Sequence, residues 1–369
     1  MRIRAVEVYA YDLTYIHGQY VMSGGRVIES LSSTVVRVIT ESGVDGFGEV
    51  CPLGPAYLPA HAAGARAALC EIVPAVIGLE VSNHSALSRR MDAALMGHGY
   101  AKSALDAACW DALGKSLDLP VCELLGGRLQ DEFPLYFAVP LGPVEAMAEY
   151  VQARRAEGIH RLQLKLGADP REDVERTRRV VAETGAEDIV VADANGGWRL
   201  QDAVVAARGL EDLERVFFEQ PCPTLEECLI VRERTTLPMV LDESIVDVNT
   251  LLRAHHAKAM EAINLKISKV GGLTRAVVMR DLAQELGVRL TIEDAWGGDL
   301  VTAAVAHLAA STREEALFTV SFMNDWTNEH VAGYEPRSRN GLGAAPTAPG
   351  LGISVDLDRL GAPVFSAQA

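Results

Sequence analysis

The chain has 369 residues, 49% of them apolar, and a formal net charge of −16. That length exceeds one ordinary domain and suits a barrel with an accessory domain, and the apolar share supplies a large core. The acidic balance excludes nucleic-acid binding, which needs basic surface, and no stretch is long and apolar enough to span a bilayer.

Residues 1–60 read as strands: RIRAVEVYAYDL, STVVRVITESG and VDGFGEV, with ESG and DG as turn signals of a meander. Between the first two lies a polar segment from Ile16 to Ser30, which reads as a flexible loop around Tyr20 and Gly24-Gly25. A second irregular segment, Cys51 to Pro59, carries Tyr57 among prolines. Residues 60–126 turn helical, with Ala-rich 3.6-residue periodicity up to Gly126-Gly127. FPLYFAVPL is the expected first barrel strand, and the last lies near Ala316 to Ser321. These boundaries give an α+β N-terminal domain over 1–130, an α/β barrel over 131–325, and a C-terminal segment over 326–369 that packs back on the first domain. The start, MRIRAVEVYAYDL, has no secretory apolar core. The six cysteines, Cys51, Cys70, Cys109, Cys122, Cys222 and Cys228, have no metal-type spacing. Reduced thiols in a cytoplasmic protein are the expectation.

Six short β-like runs end on a charged residue: LQLK at Lys165, VVAD at Asp193, VFFE at Glu219, MVLD at Asp242, INLK at Lys266 and LTIE at Glu293. Successive ends lie 23 to 28 residues apart, the length of one strand, one helix and two turns. The repeat predicts a (β/α) barrel whose strand ends share one rim.

Asp193, Glu219 and Asp242 would then converge. Three buried acids repel unless a cation sits among them, and an all-oxygen set without His or Cys favours Mg²⁺. A single strand-end acid would more often cap the next helix. Three on successive strands favour metal. Glu243 points away by strand alternation and reads as an ion-pair or outer residue.

Lys165 and Lys266 fall on the second and sixth strands, on either side of the acids. A metal-bound carboxylate would present its α-carbon between them. The cation stabilises the enediolate that forms, and a lysine with a lowered pKa takes the proton. Lys269 reads as a solvent-facing or outer cation. Glu293 and Asp294 either bind substrate, hydrogen-bond Lys266 or, with Asp299, cap the next helix. Gly271-Gly272 reads as a tight βα turn. None of the nine histidines ends a strand, and His307 reads as a core or interface residue.

The run from Lys165 through Asp193-Ala-Asn195, Glu219-Gln-Pro, Leu241-Asp242-Glu243 and Lys266-Ile-Ser-Lys-Val-Gly-Gly resembles the enolase superfamily, in its muconate-lactonizing-enzyme-like branch. The likeness extends over nearly the whole chain, including Lys102-Ser-Ala-Leu-Asp. It implies a capping domain on a modified TIM barrel. It implies Mg²⁺ on Asp193, Glu219 and Asp242, and Lys165 and Lys266 as the acid–base pair. It also implies that loops around Tyr20 and Tyr57 cover the site and select substrate. The branch usually carries Lys-x-Lys on the second strand, where this chain has Gln163-Leu-Lys165. Gln163, the loop to Tyr57 and Ala295-Trp296-Gly-Gly-Asp299 resemble epimerases of proline betaine and hydroxyproline betaine. Such substrates carry a quaternary ammonium, which aromatic faces bind. Tyr57, Trp296, Phe322 and Tyr20 are the available rings, and Asn195 joins the substrate-binding set. Phe322 stands where that subgroup favours a tryptophan.

The resulting expectation is a Mg²⁺-dependent racemase or epimerase acting α to a carboxylate, on a proline-betaine-like or other N-substituted amino acid. Rivals on the same scaffold are a hydroxyproline-type dehydratase, a muconate-type cycloisomerase and an N-acylamino-acid racemase. A non-catalytic binding scaffold is the rival from another class. The expected partner is a small carboxylate, and a homo-oligomer is a fold-level expectation.

Overall fold

A computed structural model describes all 369 residues. The N-terminal strands are β1 (Ile3–Thr14), β2 (Tyr20–Met22), β3 (Arg26–Ile28), β4 (Ser30–Thr40) and β5 (Asp45–Val50). Three helices follow, α1 (Ala62–Val76), α2 (His84–Ala94) and α3 (Gly99–Leu117). β1, β4 and β5 form an antiparallel sheet because each alternates apolar and polar residues, and the apolar face packs on α1 and α3. The last strand, Phe365–Gln368, joins this sheet beside β1.

The segment expected to be a flexible loop is instead a hairpin, β2 paired with β3. Its turn uses Gly24 and Gly25, both at positive φ, which only glycine adopts without strain. Tyr20, Met22 and Ile28 are buried among Trp296 and Trp326, and that burial orders the segment.

After the short helix α4 (Val121–Leu124) come β6 (Phe133–Pro134) and β7 (Phe137–Val139). Seven further strands and the helices between them complete the repeat. They are α5 (Val144–Ala156), β8 (Arg161–Lys165), α6 (Pro170–Val181), β9 (Ile189–Asp193), α7 (Leu200–Leu210), β10 (Val216–Glu219), α8 (Leu225–Arg232), β11 (Met239–Leu241), α9 (Val248–His256), β12 (Ala262–Lys266), α10 (Ile267–Val270), α11 (Leu273–Glu285), β13 (Arg289–Glu293), α12 (Asp299–Ala310) and β14 (Leu317–Val320). β7 to β14 form one eight-stranded parallel sheet in sequence order. It closes where Leu135 bridges Val320 and the Tyr136 amide donates to the Val320 carbonyl at 3.0 Å. The fold is a modified TIM barrel with an N-terminal capping domain.

Two buried carboxylates bind this domain to the barrel rim. Glu49 accepts the Gly298 and Val301 amides at the start of α12, both at 3.1 Å. Asp106 accepts the Thr274 amide at 2.9 Å at the start of α11. Each satisfies donors that a helix N-terminus leaves free. Gly271 and Gly272 form the tight turn before α11, and a Cβ on Gly272 would lie 2.5 Å from Asp106 Oδ2. All six cysteines are free, and no helix is long and apolar enough to cross a membrane.

Candidate active site

Parallel register sets the level of each strand end. Lys165 pairs with Asp193, Asp193 with Glu219, and Lys266 with Glu293. All five are at most 6% exposed. Asp242 follows β11 and is also buried.

Lys165 Nζ lies 2.5 Å from Asp193 Oδ2. Lys266 Nζ contacts Asp242 Oδ2 and the Tyr57 hydroxyl, and lies 3.3 Å from Glu293 Oε1. Lys269 is not solvent-facing: its ammonium is buried 2.8 Å from Asp242 Oδ1. Burial alone would lower the pKa of Lys165, but the charge of Asp193, with Tyr20 and Glu219 behind it, raises it. Lys266 is likewise raised, because Asp242, Glu293 and Glu243 outweigh its burial. The neighbours here are carboxylates, which favour the ammonium form; the lowered lysine pKa expected from the sequence belongs to a site whose acid charge a cation has neutralised.

Glu219 makes no ion pair. It accepts Gln163 Nε2 at 3.1 Å on both oxygens and Asn264 Nδ2 at 2.7 Å. Burial, then the charge of Asp193, pushes it well above the usual carboxylate range. Five buried carboxyls, Asp193, Glu219, Asp242, Glu293 and Asp294, face only three ammonium groups. Asn195 Oδ1 and Glu243 Oε2 are buried acceptors without a donor, although Asn195 Nδ2 donates to Glu243 Oε1 at 3.1 Å. This surplus of anionic oxygen fits a hard divalent cation. Another acidic group, His160, Glu187 and Asp188, brings its ligand atoms within 4.8 Å of one another at the opposite barrel end. Arg155 already pairs with both of those acids.

The cavity over the lysines holds only about 20 Å³. Of the sequence-derived set, Tyr20, Tyr57, Gln163, Glu293, Asp294 and Trp296 line it, with Lys165 and Lys266. Asn195 does not; it lines a neighbouring cavity beside Glu243 and Arg26. Phe322 does not either. It lies buried just past the end of β14 and packs edge-on against Phe133 at 6.0 Å. Asp294 does not cap the next helix: it accepts the Ser268 amide in the first turn of α10 at 2.9 Å and the Ala295 amide at 2.7 Å. Asp299 accepts the Ala332 amide at 2.8 Å, while Glu49 caps α12.

Sequence reasoning missed Tyr136, Met323 and Trp326, which also line the cavity. Tyr136 donates to Glu293 Oε2. Only the YF pair within the first expected barrel strand could have pointed to it. Trp326 stacks near Tyr20, with ring centroids 6.3 Å apart, from a turn beyond the last strand that no strand-end pattern reaches.

Two family models match this architecture. Residues 6–126 match the mandelate racemase/muconate lactonizing enzyme N-terminal domain, and residues 146–359 the enolase C-terminal domain-like family. The chain belongs to the mandelate racemase/muconate lactonizing enzyme family. It is an enzyme of the enolase superfamily, in its muconate-lactonizing-enzyme-like branch. It is 45% identical to a cis-3-hydroxy-L-proline dehydratase of Roseibium aggregatum, over 99% of both chains. It is 28% identical to an N-succinyl-L-Arg/Lys racemase of Bacillus cereus, over 98% of this chain and 97% of the relative. A mandelate racemase/muconate lactonizing enzyme of Roseovarius nubinhibens ISM, solved in complex with magnesium, superposes with a TM-score of 0.96 at 33% identity, covering 100% of both chains. Enzymes of this superfamily generally use Mg²⁺.

Proposed function

We propose that this family member eliminates water from a small cyclic β-hydroxy amino acid of the 3-hydroxyproline type, after removing the proton α to its carboxylate. One observation carries the reading: two lysines line one cavity in unlike surroundings. Lys165 contacts Asp193 alone among the acids, whereas Lys266 sits among Asp242, Glu293 and the Tyr57 hydroxyl. Elimination sets the two unlike tasks, one taking a proton from carbon and the other giving one to a leaving oxygen, whereas epimerisation has both exchange a proton with the same carbon. The dehydratase relative at 45% identity favours this order over the epimerisation expected from sequence.

Asp193, Glu219 and Asp242 are the residues that would hold Mg²⁺. Bound there, the cation supplies positive charge to the substrate carboxylate and takes up the acid charge that otherwise keeps the lysines protonated. Lys165 then removes the α-proton. Lys266 delivers a proton to the departing β-hydroxyl. The Cα–H and Cβ–O bonds break, a Cα–Cβ double bond forms and water leaves. Lys165 returns its proton to solvent and Lys266 regains one. The lysines and acids are buried, which strengthens each charge contact.

A second reading, epimerisation of an N-alkylated proline, draws on the aromatic wall. Tyr20 and Trp296 lie 5.4 Å apart, and Trp296 and Trp326 5.6 Å. Such faces hold a cationic nitrogen. The test is product analysis by proton NMR in D₂O with Mg²⁺, offering cis-3-hydroxy-L-proline and proline betaine in turn. Loss of water from the first supports elimination. Deuterium at Cα with inversion of the second, and no elimination, would favour epimerisation. Neither product would sink both readings.

A further inference from the structure

Two separate segments of the N-terminal domain cover the cavity. The β2–β3 hairpin brings Tyr20, whose hydroxyl faces Lys165. The irregular segment Pro52–Pro59 brings Tyr57, whose hydroxyl contacts Lys266 and lies 2.9 Å from Asp242 Oδ2. With about 20 Å³ beneath them, no amino acid fits until this cover moves.

Pro52–Pro59 has few anchors. Its backbone bonds are internal, from the Tyr57 and Leu58 amides to the Gly54 carbonyl. Apart from the Ala60 amide next in the chain, which donates to the Leu58 carbonyl, it reaches the rest of the chain by hydrogen bonds at two points. One is the Tyr57 hydroxyl in the site. The other is the Ala56 carbonyl, which accepts Arg26 Nη1 at 2.7 Å. Arg26 belongs to the hairpin. Its Nε donates to the Ser23 carbonyl at 3.0 Å and its Nη2 to Ser23 Oγ at 2.5 Å. Its guanidinium carbon lies 5.8 Å from the Tyr57 ring centroid. One planar fork therefore fixes itself to the hairpin turn with two nitrogens and holds the second segment with the third.

We propose that Arg26 is a positioning residue that couples the two segments into one lid, so that a single closure brings Tyr20 over Lys165 and Tyr57 onto Lys266. Arg26 touches no reacting atom; it acts through Ala56 and Tyr57. That this closure serves catalysis rests on the reaction proposed above. The coupling itself does not.

The test is hydrogen–deuterium exchange of the full-length protein, read on peptides spanning Pro52–Pro59 and the hairpin, in wild type, Arg26→Ala, Arg26→Lys and Ser23→Ala. Arg26→Ala should speed exchange of the Tyr57 and Leu58 amides roughly tenfold, with the melting temperature near wild type, since one charge-assisted bond to a carbonyl is lost. Arg26→Lys, which keeps one donor, should recover part of the protection. Ser23→Ala, which removes only a bond inside the hairpin, should leave Pro52–Pro59 as in wild type. In a turnover assay, Arg26→Ala should lower kcat/KM roughly tenfold, with the same order of recovery in Arg26→Lys. Wild-type exchange in Arg26→Ala, or equal deprotection in Ser23→Ala, would overturn the coupling whatever the enzyme turns over. Exchange as expected, in a protein that eliminates water from no hydroxyproline, would leave the coupling standing and overturn only the reading of the reaction.

Discussion

The amide nitrogen of Gln163 lies 3.1 Å from both carboxylate oxygens of Glu219. A neutral donor therefore stands where the branch usually has a second lysine, and the central acid has no ion-pair partner to compete with a cation. Sequence alone had assigned Gln163 a role toward the substrate's nitrogen. The geometry adds a role toward Glu219.

Gln163→Lys should put an ammonium against Glu219 and compete with the metal. Magnesium affinity, measured by calorimetry without substrate, should fall roughly tenfold or more, because a buried like charge is poorly screened. Unchanged affinity would show that Glu219 does not share in holding the cation.

Asp193→Asn, Glu219→Gln and Asp242→Asn should each abolish measurable Mg²⁺ binding in protein that remains folded by circular dichroism. Each keeps the side-chain shape while removing a charge. Asp242→Asn should also leave Lys266 and Lys269 short of a partner, since both pair with that acid. It should therefore cost the most stability of the three.

Phe322 and Trp326 should separate packing from site. Phe322→Ala should destabilise by roughly 3–5 kcal/mol, as for a fully buried ring, with KM close to wild type. Trp326→Phe should shift KM while the urea midpoint moves little. A shift in KM for the Phe322 variant alone would return that ring to the substrate pocket.

The barrel and its charged rim were legible because a strand buried on both faces reads as an apolar run, and a charge ending it stands out. That gave Lys165, Asp193, Glu219, Asp242, Lys266 and Glu293 together. The hairpin around Tyr20 was not legible, since its order comes from burial against Trp296 and Trp326, which lie far along the chain. Phe322 was misplaced for a related reason. Past the last residue of β14 the two-residue alternation no longer fixes where a side chain points. Capping of α12 by Glu49 was invisible, because that contact joins residues 252 positions apart.

Two buried histidines should make the fold acid-sensitive. Burial holds His84 down to about 4 and His307 down to about 4, against an ordinary value of 6.5. Both stay neutral in the fold, so their contribution is complete above pH 6.5 and is lost as pH falls toward 4. Each should cost about 2 kcal/mol between pH 6.5 and 5. His84 stacks on Trp110 with centroids 3.7 Å apart, and neither ring nitrogen has a partner. His84→Phe should keep the stack, and its urea stability should fall less than wild type's over that interval, by about 2 kcal/mol. Equal falls would mean that His84 protonates freely in the native state.

The division of labour between the lysines is the central claim, and proton exchange tests it most directly. Wild type, Lys165→Ala and Lys266→Ala would each be incubated with cis-3-hydroxy-L-proline and Mg²⁺ in D₂O, with Cα–H and product followed by proton NMR. The expected result is elimination by wild type only, Cα–H exchange without elimination in Lys266→Ala, and neither in Lys165→Ala. Elimination at near the wild-type rate in either variant would contradict the account.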